Sequence, residues 1–272
     1  VNFFNALFRV PLEAYVGLFG DAHPLWSLVP LSILVGIGML WVFGATSNQK
    51  AIERAKKKMQ AYLLELRLYG DDPGLLFKAQ GNLILYNFRY IGLMLVPAIY
   101  LTIPMVVLLF HLDAIYGIAP LKPGQSAVLT VQAAGRLTPK TDVPQLTLPP
   151  GFVAETPAAR ALDDGQYSWR LRADQPGEGE LSFRWMGQEF TKSLDAGEDL
   201  RYVSPRRETS WWSSIASPGE ELLTVENLNW IELRYPAAEI HTGDWSLHWL
   251  VWFLIISIVA AYGLKGFFGV TI

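Results

Sequence analysis

The chain has four histidines, His23, His111, His241 and His248, and none of them stands at metal-ligand spacing from another. His111 with Asp113 could bind a metal ion or a proton. The same pair also suits the polar end of a membrane span, where side chains meet headgroups. His248 lies among Trp245, Trp249 and Trp252, the composition of an aromatic belt. With no cysteine there can be no disulfide, no thiolate metal site and no cysteine nucleophile. The paired acids Asp163-Asp164 and Glu220-Glu221 fall in turn-like stretches, where solvated charge is the default. No glycine-rich dinucleotide loop, phosphate loop or nucleophile elbow occurs. The expectation is a protein that is not an enzyme and uses no cofactor or metal. A net charge of −3 gives no basic footprint for nucleic acid.

What remains is chemistry of surfaces and of membranes. Lys56, Lys57, Lys58 and Arg67 crowd one charged stretch. Arg206 and Arg207 precede Trp211 and Trp212, a combination suited to headgroups, to a partner or to packing on its own domain. Ser32, Tyr100, Thr102 and Ser257 are polar residues inside apolar runs. Those runs are the elements that must position everything else. Hydrophobic residues make up 51% of the chain and the mean hydropathy is +0.24. Three windows, 25–44, 90–112 and 245–264, contain no Asp, Glu, Lys or Arg. Each has about the 20 residues needed to cross ~30 Å of hydrocarbon. An ordinary soluble enzyme, a disordered chain, collagen and a disulfide scaffold are excluded.

Charge orients the spans. Residues 45–89 carry eight basic and four acidic side chains, a net +4, with Lys and Arg close to both neighbouring spans. Residues 112–244 carry twelve basic and nineteen acidic side chains, a net −7. Basic residues near span ends favour the cytoplasmic side, whereas long domains translocate largely regardless of charge. The N-terminus and the acidic segment are therefore expected outside, and residues 45–89 and the tail after Lys265 inside. No cleavable signal peptide is expected, because a basic leader region and a small-residue cleavage site are both lacking.

Residues 1–20 read as an amphipathic helix. Phe3, Phe4, Leu7, Phe8, Leu12, Tyr15, Val16 and Phe19 recur at helical spacing, and Asn5, Arg9 and Glu13 share another face. Such a helix suits the bilayer interface, or packing on the outer domain. Gly20-Asp21 and His23-Pro24 break it. Residues 46–88 read as a helical hairpin, with Ile52, Met59, Leu63 and Leu66 as a heptad seam facing Leu76, Ala79 and Leu83. Gly70 suits the end of the first arm, and Asp72-Pro73 the start of the second. Pro97 and Pro104 bend the span 90–112, and with Tyr100, Thr102 and His111 they should turn it toward the other spans. The small residues Gly36 and Gly38 should leave room beside it. Residues 120–240 read as an immunoglobulin-like β-sandwich. Its strands fall at 127–131, 167–171, 181–185, 190–194, 222–225 and 230–235, with turns at Asp164-Gly165, Pro176-Gly177 and Ala196-Gly197. The fold class is thus membrane α + β: three transmembrane helices, a cytoplasmic helical hairpin and an extracytoplasmic immunoglobulin-like β-sandwich.

The order of elements from the interfacial helix to the last span resembles the YidC-type membrane protein insertase superfamily, including its three-span archaeal and endoplasmic-reticulum relatives. Thr46-Ser47-Asn48-Gln49-Lys50 looks like the family's T-x-x-Q segment at the exit of the first core span. Residues 55–66 resemble its first hairpin arm, and Tyr69-Gly70-Asp71-Asp72-Pro73 its hairpin tip. Pro97 with Pro104 is similar to its proline-containing second core span. About a hundred residues are covered. Met39 stands near the position where bacterial members carry an arginine, and the β domain stands where they carry an extra pair of spans. No long basic ribosome-binding tail like theirs is expected after the last span.

The resemblance implies a helper of membrane-protein insertion, folding or assembly. Ser32, Tyr100, Thr102 and Ser257 would line a polar, thinned path that lowers the cost of moving polar groups across the bilayer. Lys56, Lys57, Lys58 and Arg67 would receive clients or a partner, and Arg206, Arg207, Trp211 and Trp212 would serve partners outside. The alternative is a non-catalytic structural or accessory subunit of a larger membrane complex, docking partners through the outer domain. The expected partners are the lipid bilayer and membrane-protein clients or that complex. The expected location is a bacterial inner (plasma) membrane.

Overall fold

The computed structural model describes residues 2–20, 22–243 and 245–270, and their side chains from residue 5 onward. Val1, Asp21 and the Phe3 and Phe4 side chains, all part of the expected first helix or its break, lie outside the described residues. In chain order the helices are α1 (Asn2–Gly17), α2 (Leu25–Thr46), α3 (Gln49–Leu68), α4 (Pro73–Tyr116), α5 (Trp211–Ala216) and α6 (Trp249–Leu264). The long strands are β1 (Ser126–Ala133), β5 (Gln166–Ala173), β6 (Gly177–Trp185), β7 (Gln188–Ala196) and β9 (Leu228–Leu233). Between and after them come the three-residue strands β2 (Gln145–Thr147), β3 (Phe152–Ala154), β4 (Ala159–Ala161), β8 (Arg206–Glu208), β10 (Ile240–Thr242) and β11 (Trp245–Leu247). The chain is thus helix plus sheet, and α2 and α4 are long and apolar enough to cross a membrane. It divides into two compact units, residues 1–27 with 107–249 and residues 28–106 with 250–272.

In the first unit, antiparallel strands in the order β3-β5-β1-β9-β8, with β4 beside β5, form one sheet, and β2-β6-β7 form another. Alternation places Leu129, Val131, Tyr167, Trp169 and Ile231 of the first sheet in one buried core with Leu181, Phe183, Phe190 and Leu194 of the second. The result is sandwich-like. The run 222–225 is not a strand. Its Leu223 N–H reaches the Glu208 carbonyl at 2.8 Å, one bond rather than a ladder. Trp245 does not begin the last helix either. It pairs with Thr242 in the β10–β11 hairpin, with Gly243 at φ +60° in the loop, and α6 starts at Trp249. Asp244, in that loop, lies outside the described residues.

Also in this unit, α1 packs by a face that mixes apolar and polar side chains. Asn5, Leu12 and Val16 are buried and Arg9 and Glu13 half-buried, while Leu7, Val10 and Leu18 stand exposed. Arg9 is paired to Glu13 at 2.7 Å, donates to the Gly219 carbonyl and lies 5.2 Å from the centre of the Tyr202 ring. The face turned to protein thus mixes apolar Leu12 and Val16 with polar Asn5, Arg9 and Glu13, and Leu7 and Val10 stay outside. Nearby, the Tyr15 hydroxyl donates to the Ser27 carbonyl at 2.7 Å and the Tyr116 hydroxyl to Ser27 Oγ at 2.9 Å. Trp249 Nε1 donates to Asp113 Oδ1 at 3.0 Å. Trp249 is therefore buried in the protein rather than in a belt.

In the second unit, α3 and the first half of α4 form the hairpin. Asn48 accepts from the Ala51 N–H at 3.0 Å and caps α3. Asp72 Oδ1 accepts from Gly74 N at 2.9 Å and Leu75 N at 3.2 Å, which starts α4 beside Pro73. The seam is Ile52, Ala55, Met59, Tyr62 and Leu66, spaced three and four, against Leu76, Ala79, Leu83 and Tyr86. Tyr62 and Tyr86 meet at 5.5 Å between ring centres. Leu63, placed in the seam by the sequence, is exposed instead, because Tyr62 keeps the heptad phase that Leu63 breaks. The second arm and the proline-bearing run are one helix of 44 residues, ~66 Å long, unbroken at Arg89, Pro97 and Pro104. Helix α6, 16 residues and ~24 Å, approaches α2 closely: a Cβ on Gly36 would lie 2.6 Å from the Ser257 carbonyl oxygen.

Replacing Ile52, which has no exposure, with Asp puts an unpaired charge into the hairpin seam. A loss of about 3 kcal/mol is expected, read as faster amide exchange throughout 50–66 and 76–86. Leu63→Asp should leave exchange unchanged. Equal effects of the two substitutions would contradict the seam.

Candidate functional site

The four expected groove residues separate into two environments. Ser32 and Ser257 are buried, and each hydroxyl bonds its own helix, to the Leu28 carbonyl at 2.7 Å and the Leu254 carbonyl at 3.1 Å. Ser257 sits at the α2–α6 contact, and Ser32 lies one turn from Gly36 along α2. Gly36 does not leave room for water or a client there, because the Ser257 backbone fills it. Gly38 has nothing within 4 Å. Tyr100 and Thr102 are exposed on α4, and the Thr102 hydroxyl donates to the Ala98 carbonyl at 2.7 Å. Ile91, Leu95, Ile99 and Ile103 of the same stretch are also exposed, so this part of α4 is not turned into the other apolar helices as its prolines and polar groups suggested. Its face stays open.

On the hairpin, Lys57 pairs with Glu53 at 2.8 Å and Lys58 and Arg67 are exposed, whereas Lys56 is half-buried. Consecutive lysines project ~100° apart around a helix, so the three cannot share one face. Lys57 and Lys58 instead border a crevice of about 380 Å³ with Arg54 and Arg89.

The candidates on the β domain divide as well. Arg206 lies over the Trp230 ring, 4.2 Å from its centre, and pairs with Glu208 at 2.6 Å. Arg207 donates to the Glu221 carbonyl at 2.7 Å and to Thr191 Oγ1 at 3.2 Å. Both guanidiniums are engaged within the sandwich. Trp211 and Trp212 stay exposed, the latter by 67%, and stack on each other at 3.9 Å between ring centres. His111 is buried with Nδ1 3.0 Å from the Val107 carbonyl, and its ring is 5.2 Å from that of Phe8. Asp113 serves Trp249, so the two are not a shared ligand pair. Among the described residues no three His, Asp or Glu side chains gather as metal ligands.

One feature of the first unit was not found from the sequence. A cavity of about 910 Å³ opens between α1, β7 and residues 200–221. Behind it Lys192 has no exposure; its ammonium donates to the Ser204 carbonyl at 2.6 Å and is paired with Glu220. The other Glu220 oxygen accepts from the Ser193 N–H at 3.1 Å. A lysine between Phe190 and Leu194 in a period-two strand points inward, and that was the signal for a buried pair. The other charges at the cavity are mostly paired too: Arg201 with Glu178 at 3.0 Å and with Asp199 at 2.8 Å. Asp195 forms no ion pair among the described residues. Burial pushes its carboxyl up to about 6, against the pull of the Lys192 ammonium. Tyr202 is more than nine-tenths buried, its hydroxyl has no partner among the described residues, and burial pushes its phenol far up. The Ser193 hydroxyl donates to Glu220 Oε1 at 2.8 Å, so Glu220 gathers a lysine, a hydroxyl and a backbone N–H at this cleft.

Comparison with protein-family models, with curated proteins and with solved structures finds no match to this chain.

A carboxyl that titrates near 6 folded and 3.8 unfolded binds its proton more tightly in the fold. Its stabilising contribution is full below pH ~4 and is lost as pH rises through ~6, a change on the order of 3 kcal/mol before relaxation. Thermal unfolding in detergent should therefore show Asp195→Asn gaining on the wild type between about pH 4 and pH 6.5. A difference between the two that does not vary with pH would contradict this.

Proposed function

We propose that the chain is an insertase-like membrane protein of the YidC type, which assists the insertion, folding or assembly of other membrane proteins. In this reading α2, residues 90–112 of α4, and α6 cross a bacterial inner membrane. Residues 45–89 stand in the cytoplasm, and an immunoglobulin-like sandwich stands outside. Helix α6, at ~24 Å, is shorter than ~30 Å of hydrocarbon, a mismatch met by local thinning. Thinning of that kind suits a protein that eases polar segments across. Helix α1 lies at the interface with Leu7 and Val10, and Leu18 just after it, toward lipid, as their exposure supports.

The observation that carries the reading is the open face of α4. A proline-bearing helix with Tyr100 and Thr102 exposed on it is continuous with the arm of a basic hairpin. An incoming transmembrane segment can lie against that face while its polar flank is held at the hairpin. No bond is made or broken. A second reading, an accessory subunit of a larger complex, draws on a different observation. Ser32 and Ser257 bond their own helices, so a polar path needs a contribution from another chain. A permanent neighbour's helix would then cover α4.

Photo-cross-linking residues placed at Tyr100 and Thr102 in living cells test both. Short-lived adducts with many nascent membrane proteins are expected, and they should decay when translation is stopped. A single stable adduct of fixed size would replace the insertase by the subunit. Adducts to lipid alone would reject both.

A further inference from the structure

We infer that the crevice at the base of the hairpin is a binding site for the phosphate of an anionic lipid headgroup. Its floor is made by the small side chains Ala51, Ala55 and Ala61 with Tyr86, which leave a hollow of about 380 Å³ between the helices. Its rim carries Arg54, Lys57, Lys58 and Arg89 and no carboxylate. Glu53 answers Lys57 at 2.8 Å, but Arg54, Lys58 and Arg89 form no ion pair among the described residues. Three convergent cations around an apolar-floored hollow repel one another unless an anion joins them. The volume falls within the ~300–1,000 Å³ of small-molecule sites and suits a glycerophosphate group. Guanidinium and ammonium donors are the groups that hold phosphate oxygens.

Position selects the lipid as the source. Arg89 immediately precedes the charge-free run 90–112, and its guanidinium lies 5.9 Å from the centre of the Tyr86 ring. Arg54 is five residues into α3, ~7.5 Å along the helix from Gln49, and α3 follows α2 after two residues. The headgroup layer is about 5–8 Å deep on each side of the hydrocarbon, so both arginines fall within its reach. Beside them Ile84, Leu85 and Phe88 are exposed on α4, apolar side chains that acyl chains would cover. A basic cluster directly cytoplasmic of a span recruits anionic lipid. Here the cluster is also concave, which fixes one headgroup rather than attracting a diffuse layer. The site rests on the reading of 90–112 as a span. A lipid held there anchors the base of the two hairpin arms while their tip stays available.

The full chain, extracted in a mild detergent, is titrated with phosphatidylglycerol, phosphatidylcholine or inorganic phosphate, and retained ligand is counted by native mass spectrometry. The wild type should retain one phosphatidylglycerol in strong preference to phosphatidylcholine. Arg54→Gln with Lys58→Gln and Arg89→Gln should weaken that retention by roughly fivefold for each cation removed. The same charge loss at Lys50, Arg67 and Lys78, outside the crevice, should leave it unchanged, and Arg54→Lys with Arg89→Lys should keep most of it. Equal loss in both sets of glutamine variants, or no preference in the wild type, overturns the site. Displacement of the lipid by equimolar phosphate overturns the lipid as the ligand. A chain that needs no detergent to leave the membrane fraction overturns the span on which the site rests, which separates that failure from a failure of the crevice.

Discussion

A small set of buried and half-buried hydrogen bonds ties the ends of four helices to one another. Tyr15 of α1 and Tyr116 of α4 both bond Ser27 of α2, and Trp249 of α6 bonds Asp113 of α4. Each is a polar group whose burial would be costly if it were unpaired. Satisfied together, they specify which residues meet. Gly117 is required beside them, because a Cβ there would strike the Asp113 carboxylate and come within 2.7 Å of Trp249 Nε1. The chain then continues into the sandwich through Ala119 N–H to the Pro236 carbonyl and Ala238 N–H to the Gly117 carbonyl. Apolar helices alone slide against one another; fixed polar contacts at their ends set register.

Helix α1 follows from the same constraint. Its Arg9 and Glu13 are drawn inward by each other, by the Gly219 carbonyl and by the Tyr202 ring. Its large exposed side chains are Leu7 and Val10, with Leu18 just after it. In water that orientation exposes apolar area without return, at ~25 cal/mol per Å². At a bilayer surface the same face is covered. The exposed Leu7 and Val10 of α1, the open face of α4 and the basic crevice all become intelligible when lipid is the solvent.

Spacing was a sound guide wherever an element was long. The seam residues Ile52, Met59 and Leu66, the Asp72-Pro73 start and the runs that became β1, β5, β6, β7 and β9 follow from period and capping chemistry. The strands of three residues, β2 to β4, β8, β10 and β11, are too short to carry a period. Helix α5 has six residues and no room for an amphipathic pattern. Continuity of α4 was hidden because hydropathy changes at Arg89 while helix propensity does not. The spacing of Leu12 and Val16 marked the side of α1 that packs, but not that Arg9 and Glu13 would be half-buried with them. The groove was the least legible feature. Residue type marks Ser32 and Ser257 as polar, but each hydroxyl bonds its own helix backbone, and Gly36 admits another helix rather than water.

In the proposed topology the hairpin and the sandwich lie on opposite sides of the membrane. The sequence contains no cysteine, so single cysteines can be introduced at exposed Lys57 and exposed Glu189 without background. An impermeant maleimide applied to intact spheroplasts should label the cysteine at 189 and leave that at 57 unlabelled until the membrane is permeabilised. Labelling of both positions before permeabilisation, or of the cysteine at 57 alone, would contradict the account.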